Sequence, residues 1–426
     1  MIAASNIIVR ILGLLYRIWL SRAITNVALG LFQLSMSAYS LFITPVASGL
    51  PNAVSSRSAS EEIKHGQGAA YDVLRSGLRI AATLAVTIGG MMLFGSKLFA
   101  GVLLHDMNAY VIILALIPAV VLGGIASVPG AFLHAQGRSF FPALSELLEQ
   151  MGKIAFGVAA LLLLKNENDY VKAAAAAGAV SFGGLVSFLF LRLFTRLKGN
   201  HNAHTSYITA LVHSAVPLSF SRVLSSVIHM TVSSLLPLRL MLAGFSKETA
   251  LSQYGILTGM AFPIVFLPTT LTSALCVVLL PDIAKCRASG NIRLLKSKIT
   301  RSLLFAGIVT VCAAISIAFI AQPMGNVVYK QPLAAEYMLY LTPLVLLMGI
   351  TQVSGTILNA LKQEKKMLYY NLMGGILCLV LMYFLTPLPA LGIKGYIIAT
   401  TLQTLLVCLL NVRCIYKTIY VPDSEK

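Results

Sequence analysis

The sequence predicts an all-α polytopic membrane protein, with about twelve transmembrane helices in two parallel six-helix repeats. Three observations carry this. The 426 residues are 58% hydrophobic and 11% charged, with a mean hydropathy of +0.85, whereas a soluble globular chain carries about a quarter charged residues. Twelve apolar stretches are long enough to cross a hydrocarbon core of ~30 Å, which takes about 20 helical residues. An offset of 225 residues lays part of the first half on the second. This composition excludes a large soluble enzyme, a disordered chain and a secreted disulfide scaffold. The net charge of +18 does not indicate nucleic acid, because the basic residues are dispersed between apolar runs and there report orientation.

The stretches fall at roughly 2–22, 29–54, 73–95, 108–134, 144–164, 172–195, 207–241, 250–281, 299–322, 335–361, 367–387 and 391–416. Arg10 and Arg17 interrupt the first, and no clear cleavage site follows, so it is expected to stay in the mature protein. The even-numbered connections and the termini hold 20 Lys and Arg residues, among them Arg57, Lys64, Arg138, Arg293 and Lys365, against eight on the odd-numbered connections. Cytoplasmic loops carry the Lys/Arg excess. Both termini are therefore expected on the cytoplasmic side of a bacterial cell membrane. Cys276, Cys286, Cys312, Cys378, Cys408 and Cys414 form no CxxC pair and read as buried thiols with no disulfide or metal role.

At the 225-residue offset, Pro118–Ala135 faces Pro343–Ala360 with nine of 18 positions identical, including Pro118/Pro343, Gly124/Gly349 and Gly130/Gly355. Shared apolar composition would not align a proline and two glycines. Six spans per half is an even number, so lobes 1–199 and 200–426 are expected to share one orientation. Parallel repeats are a transporter architecture, with the substrate path between the halves. Pro45, Pro118, Pro263, Pro268 and Pro343 lie inside spans and are expected to bend them.

Arg10, Arg17, Lys153 and Arg222 fit in no loop. Intramembrane charges usually face a bundle interior or a water-filled path. Arg10 and Arg17 are seven residues apart and share a helix face, on which Asn6 also falls. Arg222 and His229 repeat that spacing, with Ser219, Ser225, Ser226 and Ser233 nearby on the stripe. Two cationic stripes facing one another would make a positive cavity. Arg10, Arg17 and Arg222 could instead snorkel to an interface, and His229 could be a satisfied buried histidine. In the fifth span, Glu149 and Lys153 stand in i,i+4 order and are expected to pair, while Glu146 lies one turn away. The functional alternative for Glu146, Glu149 and Lys153 is a coupling-ion or gating site. These charges sum to +2, a sign that favours an anionic substrate, and arginine's planar fork suits phosphate oxygens.

The sequence has no P-loop, HExxH, GxSxG or aspartate-rich metal motif. No enzyme activity, cofactor or metal is expected, and ATP is excluded as an internal energy source. His201 and His204 read as part of a solvated linker rather than a metal pair.

Several motifs carry a family likeness. The run Arg10-Ile-Leu-Gly-Leu-Leu-Tyr-Arg17-Ile-Trp-Leu-Ser-Arg22, then Gly30-Leu-Phe-Gln-Leu and Ser48-Gly-Leu-Pro51-Asn-Ala-Val-Ser55, resembles the opening of the stage V sporulation protein B family. So do Ala135-Gln-Gly-Arg138 with Glu149-Gln-Met-Gly-Lys153, and Leu238-Arg-Leu-Met-Leu-Ala-Gly244 with Tyr254-Gly-Ile-Leu-Thr-Gly-Met260. The likeness spans nearly the whole chain. It implies membership of the multidrug/oligosaccharidyl-lipid/polysaccharide exporter (MOP) superfamily, a V-shaped pair of six-helix lobes, and movement of a polyprenyl-diphosphate-linked saccharide. It also implies that Arg10 and Arg17 hold the diphosphate. Two features depart from the family: twelve spans where many relatives have fourteen, and Lys153 where arginine is expected.

Together these readings give a flippase that moves an anionic lipid-linked saccharide, a cell-wall or polysaccharide precursor, to the outer leaflet by alternating access. Arg10, Arg17, Arg222, Asn6 and His229 would bind the substrate. Membrane lipids, and possible cell-wall synthesis enzymes, are the partners. The rivals are an ion-coupled drug exporter, which predicts acidic cavity residues, a glycosyl polymerase with a large outer loop, and a non-transporting scaffold.

Overall fold

The computed structural model describes residues 2–195 and 207–420, and among them it contains helices and no strand. His201, His204, Arg196, Lys198 and Lys426 lie outside the described residues. The chain divides into two compact units, Met1–Ser234 and Leu235–Lys426. The first holds α1 (Ile2–Ala23), α2 (Asn26–Ala47), α3 (Gly49–His65), α4 (Gln67–Phe94), α5 (Ser96–Leu103), α6 (Tyr110–Ala135), α7 (Phe140–Leu163), α8 (Asp169–Phe194) and most of α9 (Ile208–Leu242). The second holds α10 (Lys247–Gly255), α11 (Phe262–Val265), α12 (Thr269–Ala288), α13 (Ile292–Pro323), α14 (Pro332–Tyr340), α15 (Thr342–Ala360), α16 (Glu364–Leu385) and α17 (Ile393–Tyr420).

Among the described residues, ten helices are long and apolar enough to cross a membrane. α1 and α7, of 22 and 24 residues, are also long enough but carry the charged residues Arg10, Arg17, Glu146, Glu149 and Lys153. With these two, every predicted stretch is helical. Outward faces are apolar: on α13, Leu304, Ile308, Val311, Ile315 and Phe319 are exposed at helical spacing. Water would not tolerate such a stripe, and lipid requires it. Cys312 is exposed beside that stripe, which corrects the expectation of six buried thiols. All six cysteines are free, and Cys276 is half-buried.

The repeat extends helix by helix. α4 begins at Gln67 and α13 at Ile292, the full 225 residues on, and α7/α16 and α8/α17 keep that offset to within one residue. In each unit the repeated segment is the central helix. α6 packs against α4 and α8, and α15 packs against α13 and α17. Close approach is bought by small residues, since a Cβ on Gly77 would meet Val54 and Val128, and one on Gly349 would meet Thr310 and Thr272.

The prolines act in different ways. Pro118 lies inside α6, where it removes a helix donor. Ser181 of α8 enters the same turn, donating to the Ala115 carbonyl at 2.5 Å and accepting from the Ala119 amide at 3.1 Å. Ser181→Ala is expected to lower stability by about 1–3 kcal/mol, as a buried bridge lost from both groups does; a thermal melt in detergent checks this. Pro45 lies inside α2, and the helix breaks at Ser48 because Pro51 cannot donate to the Ala47 carbonyl. The eighth stretch is discontinuous: α10 passes through a π-helical turn (Ile256–Ala261) into α11, and Pro268 caps a fresh start at α12. Pro343 bends nothing. It lies in the first turn of α15, where a missing N–H is harmless.

Candidate functional site

α1 is oriented by its contact with α7. Tyr16 and Leu20 are buried, and a Cβ on Gly13 would touch Gln150 Nε2. The Tyr16 ring lies where a Cβ on Gly157 would be. Arg10 and Arg17 fall on the border between this buried face and an exposed face bearing Ile7, Ile11 and Leu15, and both arginines are exposed. The Lys153 ammonium lies 5.7 Å from the Tyr16 ring centroid, within reach of a cation–π attraction, and close enough to Arg17 for the two charges to repel. Tyr16 Oη and Gln150 Oε1 are buried without a hydrogen-bond partner among the described residues. The seam thus presents two cations and unused polar atoms. Arg10 extends the stripe. The side chain of Asn6 lies outside the described residues.

The second stripe stands on α9. Arg222 and His229 line a cavity of about 430 Å³ with Ser40, Thr44 and Ser225, all within the first unit. Three of the four serines expected beside them hold α9 to α2 and α3 instead. Ser233 bonds Ser37 at 3.1 Å, Ser226 donates to Thr44 Oγ1 at 2.9 Å, and Ser219 accepts from the Gly49 amide at 3.2 Å. These three serines recur every seven residues, as do Ser37 and Thr44, so the rungs stack along one face of each helix. Arg222 and His229, three residues beyond Ser219 and Ser226, are exposed on the flank of this ladder.

The carboxylates lie elsewhere. Glu146 and Glu149 line a cavity of about 300 Å³ between α6, α7 and α8, with His134, Ser127, Ser145 and Ser187. The two serine hydroxyls Ser145 and Ser187 are 2.7 Å apart. Glu149 and Lys153 attract one another electrostatically but stop short of the expected contact ion pair. Among the described residues the ion pairs within 4.0 Å include Arg57–Glu61 and Lys298–Asp282 but not this one. α8 presses Gly183 against the stems of both side chains, whose Glu149 carbonyl and Lys153 Cβ a Cβ there would meet. Lys153 turns to Tyr16 and Glu149 to the cavity.

Three places in the first unit therefore hold the residues singled out: Arg10, Arg17 and Lys153 at the α1–α7 seam, Arg222 and His229 beside α2, and Glu146 and Glu149 under α6. The two cavities share no lining residue. Tyr16, Ser40, Thr44 and His134 escaped the sequence reading; the seven-residue spacing of Ser37 and Thr44, matched to that on α9, was the available signal.

The sequence profile described as "Polysaccharide biosynthesis protein" matches residues 1–287. The chain belongs to the polysaccharide biosynthesis protein family. This family member is 24% identical over 434 residues to stage V sporulation protein B of Bacillus subtilis (strain 168), covering 99% of the chain and 83% of that protein. It is 25% identical over 428 residues to the lipid II flippase MurJ of the same organism, covering 92% and 77%. Its fold is that of the MOP superfamily. A multidrug resistance MATE family transporter in its inward-facing conformation superposes with a TM-score of 0.81 at 14% identity, covering 99% of this chain and 100% of that one. It is a multi-pass membrane protein with a transporter fold.

Proposed function

We propose that this protein is a flippase that carries an anionic, polyprenyl-diphosphate-linked saccharide from the cytoplasmic to the outer leaflet of the bacterial cell membrane by alternating access. The observation that carries the reading is the sign of the intramembrane charge. Arg17 and Lys153 lie together across α1 and α7, Arg10 stands two turns from Arg17 on α1, and Arg222 lines a polar cavity on α9. A cationic drug would be repelled there, whereas arginine's fork matches a diphosphate. The likeness to proteins named for lipid II flipping and sporulation supports the same substrate class. Residues 1–199 and 200–426 are the two moving repeats in this proposal, and both termini are cytoplasmic by the Lys/Arg bias. Glu146 and Glu149 are the coupling or gating carboxylates, while Lys153 acts with Arg17. Cell-wall synthesis enzymes supply and consume the substrate.

The test is charge-selective binding to the purified protein. A polyprenyl-diphosphate saccharide is expected to bind at least tenfold more tightly than an uncharged polyprenyl-linked saccharide of the same sugar, and a lipophilic cationic dye should not displace it. Equal binding of the charged and neutral lipids, or displacement by the dye, would contradict the proposal.

A further inference from the structure

The cavity between α2 and α9 is polar in two distinct ways. Arg222 supplies a permanent donor, whereas the hydroxyls of Thr44, Ser225 and Ser226 have already committed their protons. Thr44 Oγ1 donates to the Ser40 carbonyl at 2.5 Å, and Ser225 Oγ donates to the Ser221 carbonyl at 3.1 Å. Ser226 Oγ lies within bonding distance of Thr44 Oγ1, at 2.9 Å, and of the Arg222 carbonyl, at 3.0 Å. A hydroxyl has one proton and two lone pairs. Each of these oxygens therefore keeps at least one lone pair free to accept, and all three residues line the cavity. Ile43 and Ala47 add an apolar patch to the same wall.

A diphosphate only accepts hydrogen bonds, so Thr44, Ser225 and Ser226 give it nothing, and its donors here are Arg222, His229 and the Ser40 hydroxyl. A sugar ring offers the complement: O–H and acetamido N–H donors on its edge, and C–H groups on its face. The volume of about 430 Å³ exceeds what a diphosphate alone needs. We infer that the α2–α9 cavity seats the first sugar of the lipid-linked saccharide, with Arg222 on the adjoining phosphate and Thr44 and Ser225 accepting from the sugar. This rests on the flippase reading and adds to it the residues that recognise the saccharide as distinct from its diphosphate.

Ser225 is the cleaner handle, because its hydroxyl bonds only its own helix, whereas Thr44 also holds a rung to Ser226. The experiment measures binding of two probes to the purified full chain: polyprenyl diphosphate, and polyprenyl diphosphate carrying one N-acetylhexosamine. Wild type is expected to prefer the sugar-bearing lipid. Ser225→Ala should reduce that preference about three- to tenfold, the range for one neutral hydrogen bond. Thr44→Val should act in the same direction, and Ser225→Thr should restore the preference. Arg222→Gln should weaken both probes and leave their ratio intact. A wild type that binds the two lipids equally, or Ser225→Ala and Thr44→Val variants that keep the full preference, would overturn the inference alone. A wild type that binds neither lipid would overturn the flippase reading and the inference together.

Discussion

Proteoliposomes carrying Arg17→Ala are expected to flip a polyprenyl-diphosphate saccharide at least tenfold more slowly than wild type. The physical basis is one charge-assisted hydrogen bond to phosphate, which contributes about 1.5–3 kcal/mol, in a setting where Lys153 already concentrates positive charge beside Arg17. Stability should not suffer, since Arg17 is exposed while its neighbour Tyr16 makes the buried contact with α7. Arg17→Lys should recover only part of the rate, because an ammonium cannot make the bidentate contact. A variant with wild-type flipping would remove Arg17 from the substrate path and return it to an interfacial role.

A second large effect is structural. Gly49→Val is expected to destabilise the first unit by about 3 kcal/mol, the upper end of the overpacking range. A Cβ at Gly49 would overlap the Ala215 carbonyl and the Ser219 hydroxyl, and the Gly49 amide bonds that same hydroxyl. The chain could respond only by moving α9 off the α2–α3 junction, breaking the end of the hydroxyl ladder. Gly90→Ala is the control, since a Cβ there meets nothing within 4 Å and alanine suits a helix better by about 0.5–1 kcal/mol. Thermal melts of both variants check the contrast; equal melting temperatures would show that α9 does not rest on Gly49.

The spans and the repeat were legible in the sequence because lipid imposes a composition on whole helices, which a 20-residue window detects. The irregularities were less so. The break at Ser48 is readable from Pro51 four residues after Ala47, but Pro118 and Pro129 lie inside an unbroken α6, so a proline alone does not say whether a helix stops or continues. The discontinuous eighth span was marked by Pro263 and Pro268, though its π-helical turn was not. Within the site, the arginine and Arg222–His229 spacings placed those residues on common faces. Glu149 and Lys153 attract one another without closing to a contact pair, because i,i+4 spacing gives proximity without saying what else competes: Tyr16 lies across the α1–α7 seam and Gly183 presses on both stems. Ser219, Ser226 and Ser233 were read as part of a cationic stripe because helix periodicity groups residues by face, while their partners Gly49, Thr44 and Ser37 are 170, 182 and 196 residues away.

The most direct test of the central claim is transbilayer movement of a fluorescent polyprenyl-diphosphate saccharide in proteoliposomes of the wild-type protein, read by accessibility of the probe to a membrane-impermeant quencher. The account predicts protein-dependent exchange between leaflets that an uncharged polyprenyl-linked saccharide does not share. Movement no faster than in protein-free vesicles, with matched lipid and an imposed membrane potential, would contradict it.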